Sequence, residues 1–174
     1  MVLSASNLLL LIVIFMPAVA LDIKYHRIPN WLCFSGWVCG LGLGALLGGW
    51  EGFLEAGLGL LLLLALTLPF FIFGWMGAGD VKLIGAVGAV VGGGMALNVL
   101  LGIVLSGLVM SLAVLAWKGE LFNAFSRYFA ILGFCIIEKR PVYISPPEAQ
   151  AQLVLPYAVP IAVGTLVTVI VAYT

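Results

Sequence analysis

Charged positions are so sparse along this chain that they act as punctuation between long apolar runs. Stretches without Asp, Glu, Lys or Arg cover 1–21, 28–50, 56–79, 83–117 and 149–174. A helix that crosses a bilayer needs about 20 apolar residues, so four of these runs hold one span each. The run at 83–117 is too long for one, and Gly92–Gly94 with Asn98 supply a turn that divides it. The pattern therefore predicts six helices, near 3–21, 31–49, 54–73, 81–96, 98–117 and 153–173, in a single polytopic domain covering 1–174. The fourth is the shortest.

Composition agrees. Of 174 residues, 64% are hydrophobic and 8% charged, whereas soluble domains carry about 25% charged residues. The mean hydropathy is +1.29. The expectation is an all-α integral membrane protein in contact with the lipid bilayer. A formal net charge of zero leaves no basic field for nucleic acid. Cys33, Cys39 and Cys135 show no C-x-x-C spacing and read as small buried hydrophobes. The "AVA" at 18–20 imitates a cleavage site, but no Lys or Arg precedes the first apolar run. That run reads as a retained helix, not a secretory signal.

The few charges orient the spans. Lys24 and Arg27 follow the first helix, Lys82 starts the fourth, and Lys118, Arg127, Lys139 and Arg140 lie between the fifth and sixth. Only Glu51 and Glu55 separate the second and third. Every Lys and Arg thus falls on one side, which the positive-inside rule makes the cytoplasm. Both termini would face outward. Within the loop at 118–152, "ELFNAFSRYFAILGFCII" (120–137) is apolar but centred on Arg127. It is expected to lie as an amphipathic helix at the cytoplasmic interface. Glycines 36, 40, 44 and 48 recur every four residues, as do Gly88 and Gly92, a spacing that lets membrane helices approach closely. That spacing speaks of packing, not chemistry.

This topology places the only two aspartates of the chain at similar depth on one side. Asp22 ends the first helix in "ALDIKYHRIPNWL", and Asp80 opens the fourth in "MGAGDVKL". Each alone has an ordinary reading, Asp80 as a helix cap and Asp22 as a flanking charge. Acids at membrane depth are costly, however, and lean toward function. Two carboxylates held close cannot both ionise and share one proton. The ionised one takes a proton from water and the protonated one polarises a peptide carbonyl, a reaction that needs no metal or organic cofactor. Asp80 at a helix N-terminus has the dipole in favour of its anion, and Asp22 near a C-terminus has it against. Each effect is worth about 0.3–1 kcal/mol, enough to bias the shared proton toward Asp22, although the pair titrates as a unit. Gly77 and Gly79 would let the backbone turn sharply before Asp80 and let a substrate strand approach. Lys82 would reach the head groups or steady the acid. His26, beside Lys24 and Arg27, reads as a topology-setting or lipid-facing residue.

These residues resemble those of the type IV prepilin peptidases, members of the G-x-G-D aspartic proteases that include the presenilins. "GAGD" at 77–80 with "VKL" after it is similar to the second catalytic motif. Asp22 shortly before "RIPN" (27–30) is similar to the first, and "LPYAVPIAVG" (155–164) resembles the Pro-rich last helix. The resemblance implies Asp22 and Asp80 as the catalytic pair. It also implies removal of a short basic leader from a prepilin, at the cytoplasmic face of the bacterial inner membrane. Larger members carry a cytoplasmic insert with paired C-x-x-C motifs, associated with N-methylation. Its lack here resembles the short Flp or tight-adherence branch and implies proteolysis without methyl transfer. Two rival classes remain at this point: a proton-coupled transporter using the aspartates as a relay, and a structural subunit docking through its glycine stripes. No internal repeat of the transporter kind is visible.

Overall fold

The computed structural model describes residues 4–119 and 156–173, together with Phe122 and Ser126. Among these, five helices form: α1 (Ala5–Tyr25), α2 (Asn30–Ile72), α3 (Ala78–Val91), α4 (Gly93–Trp117) and α5 (Ala158–Tyr173). The count is five because Asn30–Ile72 is continuous in sequence; within it two helices meet at a kink, where the spans expected at 31–49 and 54–73 were to part. α2 runs for 43 residues and carries a single non-helical residue, Gly49, at φ 60° and ψ −140°. A glycine takes that conformation without a Cβ penalty. The arms on either side of it touch: a Cβ built on Gly44 would lie 2.6 Å from the carbonyl oxygen of Gly52 and 2.9 Å from Cβ of Ala56. Eight helical residues span about 12 Å along a straight axis, so this contact means the chain reverses at Gly49. The amphipathic segment expected at 120–137 lies outside the described residues.

α1, α2 and α4 are long and apolar enough to cross a membrane, and α5 is a shorter apolar helix. α3 is different in kind. Its 14 residues are buried from Asp80 to Val91 apart from Lys82, as expected of a helix that is apolar all round. Small side chains make this possible. Gly36 and Gly40 of α2 sit against Ala86 and Ala89, while Gly59 of the other arm meets the backbone of Gly88. Contacts at 36 with 86 and 40 with 89 run parallel, whereas 59 with 88 and 64 with 85 run antiparallel. α3 is therefore clasped between the two arms of the α2 hairpin.

α1 packs antiparallel to α3. Asn7, fully buried near its start, donates from Nδ2 to the carbonyl of Val90 at 2.7 Å, which satisfies an acceptor in the last turn of α3. In hydrocarbon such a group left bare costs several kcal/mol. α4 and α5 approach backbone to backbone at Gly102 and Gly164, and Ser106 donates to the carbonyl of Pro160 at 2.6 Å. The contacts divide the chain into two units, one of Met1–Gly107 with Pro156–Thr174 and one of Leu108–Leu155. The described part of the second consists of the latter part of α4, a turn ending at Gly119 with φ 70°, and Phe122 and Ser126.

Three expectations need correcting. The end of α3 follows a glycine of positive φ and not a charge: the helix stops before Gly92 at φ 78°, several residues short of 96. Gly48, the fourth member of the glycine stripe, faces open space, since a Cβ added there would meet no atom within 4 Å. Cys33 is buried but Cys39 is exposed, so only the former behaves as a small core residue; Cys135 lies outside the described residues.

Candidate functional site

α1 continues to Tyr25, so Asp22 sits inside its last turn and not at its end. The turn closes on His26, whose N–H donates to the carbonyl oxygen of Asp22 at 2.8 Å from a left-handed conformation of φ 49°. His26 is thus the C-cap that releases the chain into the Ile-Pro-Asn segment. α2 then begins at Asn30 behind Pro29, whose fixed φ of −66° suits the position. On the other side of the site, Gly77 is the residue that caps α3, and Asp80 lies in its first turn. Asp80 Oδ2 accepts the N–H of Gly77 at 3.2 Å.

The two motif segments pack directly on one another. A Cβ on Gly79 would lie 3.1 Å from that of Ile28, and the thiol of Cys33 points at the carbonyl of Gly79 at 3.7 Å. Lys82 Nζ donates to Asn30 Oδ1 at 3.0 Å and lies 5.6 Å over the ring of Phe34. Trp37 Nε1 donates to the carbonyl of Lys82 at 2.9 Å. The Ile-Pro-Asn turn and its following helix are therefore a brace that fixes the first turn of α3 beside the end of α1.

Both carboxylates end up buried, Asp22 at 6% exposure and Asp80 at 9%. The carboxyl of Asp22 lies within electrostatic reach of that of Asp80. The structure thus brings together the residues read as a pair, 58 positions apart in sequence. It changes the parts assigned to their neighbours. Lys82 turns to Asn30 and not to either acid. Gly77 and Gly79 have no positive φ; the residue that needs one is Gly74, at φ 73°. What Gly77 supplies is room, since a Cβ there would lie 2.9 Å from Asp80 Oδ2.

Asp22 also has a partner that side-chain patterns do not show. Its Oδ2 accepts the N–H of Ala158 at 2.8 Å in a buried bond across 136 residues. Ala158 opens α5. The premise that only Asp80 faces a helix N-terminus therefore fails, and with it the dipole argument for where a shared proton rests. A clue was present: "LPYAVP" offers α5 no Ser, Thr, Asp or Asn to cap it, so its acceptor had to come from elsewhere.

These features define an all-helical protein of membrane type with two interacting buried acids where three helix ends meet. The chain belongs to the type IV leader peptidase family, whose model matches residues 8–115, a stretch that contains both aspartates. Membership makes it a peptidase of leader sequences. Comparison with curated proteins and with solved structures gave no match.

Proposed function

We propose that this protein is an aspartic endopeptidase that removes the short leader from Flp-like type IV prepilins, with Asp22 and Asp80 as the catalytic residues and without methyl transfer. One observation carries the reading: two buried carboxylates, remote in sequence, interact at one end of the helices in a member of a leader peptidase family. Between them they hold one shared proton. The anionic carboxylate takes a proton from a water molecule while the water oxygen attacks the scissile carbonyl carbon. The protonated carboxyl gives its proton to the carbonyl oxygen, forming a gem-diol. Collapse of the gem-diol breaks the C–N bond as the protonated acid gives its proton to the leaving nitrogen and the ionised acid takes one from a diol hydroxyl, which leaves a carboxylic acid product and a pair that again holds one proton.

Sidedness supports a cytoplasmic site in the bacterial inner membrane. Lys24, Arg27 and Lys82 share the end that holds the aspartates, and Glu51 and Glu55 lie by the reversal at the other. By the positive-inside rule the former end faces the cytoplasm, where a basic prepilin leader lies. An apolar helix of the substrate then stays in the bilayer.

A structural reading has one observation in its favour, since both carboxylates accept an N–H at the start of a helix. The two readings part on asparagine, which keeps an acceptor oxygen for a cap but cannot take a proton from water. Co-expression with a Flp-like prepilin, followed by the leader's mobility shift on a gel, tests this. The peptidase reading expects cleavage by the wild type and none by Asp22→Asn or Asp80→Asn, with all three proteins inserted at equal levels. Cleavage by both variants would remove the catalytic assignment.

A further inference from the structure

The start of α5 is arranged so that one amide is left for Asp22. Pro160 has no N–H. Val159 donates to the carbonyl of Pro156 at 3.2 Å, and Ile161 to that of Tyr157 at 3.3 Å. Ala158 alone among these residues looks outside its own helix, and it finds Asp22 Oδ2 at 2.8 Å. Ala158 is fully buried, so water cannot replace that acceptor without rearrangement. α5 is in turn held by α4 through Ser106 to Pro160 and the contact of Gly102 with Gly164. The carboxylate of Asp22 is therefore oriented from both sides: from α1 by its own backbone, and from α5 by an amide whose place α4 fixes.

We infer that the Ala158 amide is a positioning group for the Asp22 carboxylate, so that the last helix of the chain, which lies beyond the stretch matched by the family model, completes the catalytic site. The inference rests on the peptidase reading above. One oxygen of Asp22 is engaged by α5, and the other, which no described residue engages, is the one assigned to water and to the proton shared with Asp80. A hydrogen bond to a charged acceptor is among the stronger ones. Losing it frees the carboxylate to rotate, which lowers the fraction of enzyme with both acids aligned and leaves substrate binding unaffected.

The test replaces Ala158 with lactic acid in the full-length protein, which turns the N–H into an ester oxygen and keeps the methyl side chain. The corresponding hydroxy-acid replacement of Ile161 removes an ordinary helix hydrogen bond of α5 and serves as the control. Leader cleavage of a prepilin in proteoliposomes is then measured for kcat, KM and the pH–rate profile. The expected result is a fall in kcat of about 10- to 100-fold at Ala158, an unchanged KM, and a pH–rate profile displaced by about half a unit or more. The Ile161 ester should keep kcat within about two-fold and the wild-type profile. Equal kcat and an identical profile for the two esters would overturn the inference. A wild type that leaves the prepilin whole would instead overturn the peptidase reading itself.

Discussion

At Asp22 an asparagine keeps an oxygen for the Ala158 amide, whereas an alanine keeps none. The two substitutions should therefore differ in stability although both abolish cleavage. Asp22→Ala leaves a buried N–H without an acceptor, a loss of about 1–3 kcal/mol, and should lower the thermal midpoint in detergent. Asp22→Asn should stay close to the wild type. Equal midpoints for the two would show that the bond from α5 carries no weight. Gly77→Ala probes the other acid. Its methyl would press on Asp80 Oδ2 from 2.9 Å, so kcat for leader removal should fall while the protein stays folded. Unaltered kcat would mean the carboxylate has slack. Both aspartates were legible in the sequence because they are the only two and the spans place them on one side. The Ala158 amide was not, since a backbone donor leaves no mark in a side-chain pattern. Of the two readings of Lys82, steadying the acid meets a nearer acceptor in Asn30, which charge counting ignores.

Helix packing, one scale up, divides the glycines into those that matter and those that do not. A Cβ on Gly40 would meet Cβ of Ala89 at 2.8 Å and backbone atoms of residues 89 and 90 at about 3 Å, whereas one on Gly48 meets nothing. Gly40→Ala should accordingly push α2 away from α3 and destabilise by about 1–3 kcal/mol. Gly48→Ala should be neutral or stabilise by up to about 1 kcal/mol, because alanine favours the helix. Unfolding of the two variants in mixed micelles checks the contrast, and similar effects would contradict the clasp around α3. The apolar runs located every described helix. They place the ends at Ile72 and Trp117 to within a residue and misplace others because a charge does not itself stop a helix. Gly49 and Gly92 make the actual breaks through positive φ, and the second arm of α2 runs through Glu51 and Glu55.

Across the whole molecule, the account requires a single face for the aspartates. Residues exposed near that face and away from it give an independent check. In a background without the native cysteines, Arg27→Cys and Trp75→Cys should react with an impermeant maleimide only from the cytoplasmic side. Trp50→Cys, beside the reversal in α2, should react only from the opposite side. Labelling of Arg27→Cys and Trp75→Cys from different sides would separate the two motifs and dismantle the site. The expected sidedness rests on seven Lys and Arg residues, because a charge imbalance between loops does not depend on where each helix ends. The brace between Ile28, Asn30 and the start of α3 was not readable, since it depends on close contact between segments that only folding brings together.

The central claim is that two carboxylates act as one hydrolytic unit. Its most direct measurement is the single-turnover rate of leader release by purified enzyme in proteoliposomes, for the wild type, Asp22→Asn, Asp80→Asn and the double variant. The account predicts that each single variant falls by about 10³-fold or more and that the double falls no further, because either loss already disables the pair. Cleavage by either single variant at a rate near that of the wild type would contradict it.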